Sequence, residues 1–187
     1  MILTGAAITR AVAAGDIVID PFATERVNPN SYNYRLGHEI HEVVMEGEGQ
    51  PEASHVRLAP DGGRYLLRKG RFYLGHTLER IGSAHYVTSL IGRSSIGRLG
   101  LFVQLSANLG HQGAVHRWTL ELLPALDIYV YPGQVIGQVS FWNIQGAPAP
   151  YAGWYGRHDR PMPSKLHQPS AEPPRASQPL TRTGESQ

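Results

Sequence analysis

The chain has no cysteine. That excludes disulfides, thiol nucleophiles and every cysteine-bearing zinc site, including the His-x-Glu with Pro-Cys-x-x-Cys arrangement by which one class of hydrolases activates water on nucleobases. Long apolar runs are also missing: the Ala-rich start is broken by Arg10 and Asp16 before it could form a signal-peptide core, so neither a membrane span nor export is expected and the default location is the cytoplasm. An excess of one charge is missing too. Against 17 Lys and Arg stand 15 Asp and Glu, a formal charge of +2, which gives no electrostatic argument for nucleic-acid binding.

What is present points to β structure. Hydrophobic residues make up 41% and charged residues 17%, an ordinary globular balance, while 21 Gly and 14 Pro imply many turns and few long helices. From residue 166 to 187 the chain is Pro, Ser, Gln and Thr with almost no large side chain to bury. The expected organisation is one domain over residues 1–165 and a mobile Pro/Ser-rich tail over 166–187.

Thr4 is placed to cap a short helix whose Ile8, Ala11 and Val12 share a face and which Gly15 would stop. Ile17-Val18-Ile19 reads as a strand ending at Asp20-Pro21, and residues 31–36 as the next. Residues 46–63 are polar and rich in Gly and Pro, and predict a surface excursion with one short strand at 55–58, away from any chemistry. Apolar runs then recur at 71–78, 86–91, 101–105, 117–122, 127–131 and 135–144, the spacing of a sandwich or jelly roll.

Two segments could carry chemistry. Ser89 to Gly100 reads as a strand entering a tight Gly92-Arg93-Ser94-Ser95 turn and a short helical piece, where backbone N–H groups, two hydroxyls and a guanidinium converge as phosphate oxygens require; a capped surface turn is the plain alternative. Along Trp118 to Leu122, strand alternation puts Trp118, Leu120 and Leu122 on one face and Thr119 with Glu121 on the other. The nine histidines show no metal-binding spacing: neither His38 with His41 nor His111 with His116 has the offset that brings two rings to one ion.

Several segments, in order and at matching spacing, resemble the dCTP deaminase family of the dUTPase superfamily: Val18 to Phe22, Ser31 to Gly37, Leu74 to Glu79, Gly92 to Leu101, Thr119 to Leu122, Tyr131-Pro132-Gly133 and Ile136-Gly137-Gln138. The resemblance covers roughly residues 1–165. It implies an all-β distorted jelly-roll barrel with a short N-terminal helix, assembled as a homotrimer with active sites between subunits. It also implies a pyrimidine nucleotide whose phosphates rest on Arg93, Ser94, Ser95 and Arg98. In that family no zinc is used. Glu121 would activate water for attack on C4 of cytosine and pass protons to the departing ammonia. Ser94, Arg98 and the backbone of Ala107 would position the water and polarise the ring, and Thr119 and Leu120 would join the substrate contacts. Magnesium would arrive only with the phosphates of a di- or triphosphate.

The chain departs from the family pattern in two places. His111 stands where the sugar-contacting aspartate belongs, which disfavours a dUTPase-type pyrophosphatase. In the C-terminal closing segment Tyr151 keeps its position, while Trp154 replaces a lysine and His158 a glutamine. His111, Tyr151, Trp154 and His158 are therefore assigned to substrate binding with altered selectivity. The expected activity is zinc-independent deamination of a cytosine nucleotide: dCTP or a mono-, ribo- or modified relative. The rival readings are a catalytically silent nucleotide-binding trimer and a pyrophosphatase.

Overall fold

The structure, a computed structural model, describes residues 1–46 and 52–164, with the backbone alone at residues 45, 46, 52–54, 154 and 157. The expected tail over 166–187 lies outside the described residues.

Helix α1 (Gly5–Ala14) begins and ends where Thr4 and Gly15 place its caps. The Thr4 hydroxyl accepts the Ala7 amide at 3.4 Å, and Gly15 turns the chain out at φ 81°, a left-handed conformation that any side chain would strain. Ile8 and Ala11 bury against the sheets.

The remainder is mostly β. In chain order the strands are β1 (Ile17–Asp20), β2 (Tyr32–Arg35), β3 (His41–Glu46), β4 (Glu52–Arg57), β5 (Tyr65–Leu67), β6 (Phe72–His76), β7 (Arg80–Ser83) and β8 (Tyr86–Gly92). They continue with β9 (Leu101–Val103), β10 (Leu109–Gly110), β11 (Val115–His116), β12 (Thr119–Pro124), β13 (Ile128–Val130) and β14 (Val135–Asn143). A four-residue helix α2 (Ser94–Gly97) follows β8, and a 3-10 turn spans Trp154–Arg157.

One sheet runs β10-β8-β14-β2 and a larger one β4-β3-β6-β12-β9, with short sheets β1-β7-β11 and β13-β5 beside them. Tyr32 and Tyr34 of β2, Leu90 of β8, Leu120 and Leu122 of β12, and Val139 and Phe141 of β14 form the common core, all essentially without exposure. The alternation read along β12 holds: Leu120 and Leu122 are buried while Thr119 and Glu121 are half-buried on the opposite face. The Tyr34 hydroxyl donates to the Ile91 carbonyl at 2.9 Å, passing over Gly137, where any Cβ would collide with the ring.

The excursion expected over 46–63 is in part a hairpin. β3 and β4 pair from His41↔Arg57 to Glu46↔Glu52 and extend the larger sheet beyond β6. Polar composition hid it because β4 is an edge strand with Val56 and Arg57 exposed, so it has no inward apolar stripe.

Two buried polar devices tie the sheets together. Glu79, with no exposure, accepts the Arg35 backbone N–H on one oxygen at 2.9 Å and its Nε–H on the other at 2.6 Å. His76 and His116 sit in the interior with Nδ1 at 2.8 and 2.9 Å from the Thr77 and Arg117 carbonyls, which assigns the proton to Nδ1. Burial pushes both imidazoles below their ordinary pKa because the charged form is poorly solvated there. The unfolded chain therefore binds more protons than the folded one once pH falls through about 6.5, and stability present above that value is lost below it. Urea unfolding should give a lower free energy at pH 5.5 than at 7.5, with a flatter dependence in His76→Asn; equal stability at both pH values would contradict this account. Among the described residues no helix is long and apolar enough to cross a membrane.

Candidate active site

The face of the larger sheet that points away from the core opens on a cavity of 440 Å³. Strand alternation builds its floor: Val43 and His55 from the β3–β4 hairpin, Phe72 and Leu74 from β6, Thr119 and Glu121 from β12. Cross-strand pairing sets Glu121 opposite Leu74 and Thr119 opposite His76.

The segment from Tyr151 to Ser164 crosses this face as a strap and contributes further wall. Its amides and side chains fix it. Tyr151 N–H donates to the Gln112 carbonyl at 2.8 Å, Asp159 accepts the Arg117 N–H at 3.1 Å, and Met162 N–H donates to the Thr119 hydroxyl at 3.1 Å. His111 stacks on Tyr151 with ring centroids 5.2 Å apart and planes at 21°. The residue standing at the sugar-contacting position and the tyrosine of the closing segment are thus in contact.

After β9 the chain reverses at Gln104, a non-glycine residue at φ 58° whose N–H donates to the Glu121 carbonyl at 3.0 Å. The reversal lays Ser106 over the Glu121 carboxylate. The Ser106 N–H reaches Oε2 at 3.0 Å, and its hydroxyl lies 2.6 Å from Oε1 and 2.7 Å from Oε2. A carboxylate held this way keeps a fixed orientation while its remaining lone pairs stay available. Ser106 carried no signal in the sequence, because its contact with Glu121 exists only once the β9–β10 loop folds back across β12.

Ala107, His111, Thr119, Glu121, Tyr151 and His158 all line the one cavity. The Ala107 carbonyl already accepts Gln104 Nε2 at 2.6 Å. Leu120 directs its side chain into the core on the opposite face, so its side chain is remote from the cavity. The side chain of Trp154 lies outside the described residues. Arg93, Ser94, Ser95 and Arg98 sit where β8 enters α2 and are not among the cavity-lining residues. Among the described residues neither Arg93 nor Arg98 has an ion-pair partner, and no lysine or arginine lines the cavity.

His55 belongs to the stretch 46–63 that the sequence set apart from any chemistry. It lines the cavity, and burial first, then the neighbouring His41, lowers its pKa, which favours the neutral ring. Among the described residues no three His, Asp or Glu side chains converge as a metal site, and Glu121 is the single carboxylate on the cavity wall.

Residues 2–144 match the family model described as dCTP deaminase-like. A protein of Cytophaga hutchinsonii named dCTP deaminase, dUMP-forming, is 41% identical over 173 residues, covering 89% of this chain and 97% of its own. A dCTP deaminase of Rhodopirellula baltica is 36% identical over 171 residues, covering 89% and 85%. The crystal structure of 2′-deoxycytidine 5′-triphosphate deaminase from Agrobacterium tumefaciens has the same fold, with a TM-score of 0.59 at 24% identity over 75% of this chain; the match spans 47% of that longer chain.

Proposed function

The chain belongs to the dCTP deaminase-like family, and from that premise we propose that it hydrolyses the amino group from a cytosine nucleotide, dCTP or a close relative, releasing ammonia and leaving the uracil form. The observation that carries this reading is Glu121, the one carboxylate among the described residues of the cavity wall, clamped by Ser106.

Water is a poor nucleophile and the C4 amino group a poor leaving group until N3 of the ring is protonated. One carboxylate serves both needs. As a base, Glu121 takes a proton from water while the oxygen bonds to C4, and as an acid it delivers that proton to N3. The tetrahedral carbon then loses its nitrogen as ammonia, with the second water proton passed to it through the same carboxylate. Ser94, Arg98 and the backbone of Ala107 are assigned the support of the water and the developing charge. His111, Tyr151 and His158 are assigned the sugar and the far end of the nucleotide.

The phosphates need cations; among the described residues none lines this cavity, and Arg93 and Arg98 carry them elsewhere on the chain. We place them at the site of a neighbouring subunit in a homotrimer. An apolar patch supports the assembly: Leu99, Phe102, Leu123 and Leu126 are 57%, 46%, 36% and 58% exposed, and Phe102 pairs with Leu123 across two strands. Magnesium fits this reading only as an ion bound to the substrate phosphates, since one carboxylate does not make a set of oxygen ligands. An enzyme of the nucleotide pool accords with the cytoplasmic location expected from sequence.

The test is ammonia release from dCTP, dCMP, CTP and CMP with Mg²⁺, followed together with pyrophosphate because a relative at 41% identity is named dUMP-forming. Ammonia with dUTP marks deamination alone, and pyrophosphate with dUMP marks a second hydrolysis. No ammonia from any of the four sinks the proposal. The shared site is tested by co-refolding inactive Glu121→Gln and Arg98→Ala chains in equal amounts: random trimers restore about one quarter of the wild-type rate if the two residues meet across subunits. No recovery counts against the shared site.

A further inference from the structure

Gln104 is held by two bonds that leave one of its atoms unused. Its backbone N–H is fixed on the Glu121 carbonyl at 3.0 Å, and its side-chain Nε2 donates to the Ala107 carbonyl at 2.6 Å. A carbonyl can only accept, so the amide cannot be turned around, and Oε1 must face the other way. That oxygen is closed off from solvent and has no hydrogen-bond partner. Gln104 lines the same cavity as Glu121 and adopts φ 58°, a left-handed conformation that costs a non-glycine residue energy. A strained residue with a locked amide and an unpaired buried acceptor, on the same cavity wall as Glu121, is a position whose cost a bound donor would offset.

Resting on the deaminase reading, we propose that Gln104 Oε1 accepts a hydrogen bond from the exocyclic 4-amino group of the cytosine ring and thereby separates substrate from product. The ring before reaction carries an N–H donor at C4; after reaction it carries a carbonyl oxygen there. A fixed acceptor meets the first with a hydrogen bond and the second with two lone pairs facing each other. Uracil nucleotides, the product included, are therefore disfavoured by the residue that favours cytosine. The locking bond to Ala107 gives this discrimination its sign: a glutamine free to rotate would offer its NH₂ to a carbonyl as readily as its oxygen to an amine.

The experiment measures dissociation constants of dCTP and dUTP by calorimetry in full-length Glu121→Gln, which binds without turnover, with Gln104 intact and with Gln104→Met. The ratio of the two constants is the readout, since a loop merely disturbed by the substitution weakens both nucleotides together and leaves the ratio alone. With Gln104 intact dCTP should bind about tenfold more tightly than dUTP, and in Gln104→Met the two should come within about twofold. Gln104→Glu, which replaces the amide donor by a second acceptor and breaks the lock on Ala107, should also shift the ratio, and inhibition of the active enzyme by dUTP should strengthen in Gln104→Met. An unchanged ratio, or no preference with Gln104 intact, overturns the assignment while ammonia release keeps the deaminase reading standing. Absence of ammonia release from every cytosine nucleotide overturns both.

Discussion

Glu121→Gln is expected to slow ammonia release from dCTP by about a thousandfold while nucleotide affinity changes by no more than a few-fold. The amide matches the carboxylate in shape and, with its oxygen at the Oε2 position, still accepts the Ser106 N–H and hydroxyl, so the loop that lies over it stays in place. It cannot take a proton from water at neutral pH, and it has none to give to N3. The loss falls on the chemical step, in kcat. Ser106→Ala gives a graded companion: the backbone N–H still reaches Oε2, one hydrogen bond to a charged group is lost, and kcat should fall by about tenfold with KM nearly unchanged. Steady-state kinetics with an ammonia-coupled assay reads both. A Glu121→Gln enzyme that keeps more than about a tenth of the wild-type rate would place the proton transfers on another group and remove the basis of the mechanism.

The largest effect on stability is expected from Glu79→Ala, at about 3 kcal/mol or more. Glu79 has no exposure and satisfies two donors of Arg35, the backbone N–H and the guanidinium Nε–H. Alanine leaves the amide without an acceptor and the cation, itself 18% exposed, without its counter-charge in the interior. The penalty is that of a charge pair broken on one side, which is more severe than deletion of both partners. Measured against a typical total of about 5–15 kcal/mol it is a substantial fraction of the folding free energy. Urea unfolding of Glu79→Ala, Glu79→Gln and Glu79→Leu with Arg35→Leu decides it. The glutamine should cost less because it still accepts a hydrogen bond, and the double apolar replacement should recover part of the loss. A cost for Glu79→Ala below about 1 kcal/mol would mean that Arg35 turns to solvent and that the pair is not a structural tie.

The parts of this fold that the sequence disclosed are those whose signals are local. Thr4 and Gly15 mark both ends of α1 because caps are chosen by backbone geometry within one turn. β12 and β14 are long enough for alternation to register, and alternation alone put Glu121 on the face that carries the cavity. β7, β10 and β11 escaped because two to four residues, two of them glycine in β7 and β10, leave no period to read. The β3–β4 hairpin escaped because its tip is polar and its outer strand has one neighbour only. The family resemblance supplied the chemistry that spacing could not, yet Ser106, Gln104 and His55 lay beyond both. Each is brought to the cavity by a chain reversal or a strand pairing, and a polar residue in a Gly-rich stretch looks the same whether it meets water or a carboxylate.

The order of strands also dictates when this chain can fold during its own synthesis. β14, the last long strand, lies between β8 and β2, while Ile2 bridges Trp142 and the Leu3 amide bonds the Phe141 carbonyl. Until residue 143 has left the ribosome, two strands made much earlier have a vacant slot between them, and the N-terminal segment has nothing to dock on. The growing chain thus waits, open-edged, until β14 emerges and then closes in one late step, with Ile2 and Leu3 docking on Trp142 and Phe141. Slow closure and dependence on protection of those edges follow from a topology with so many pairings between distant parts of the chain.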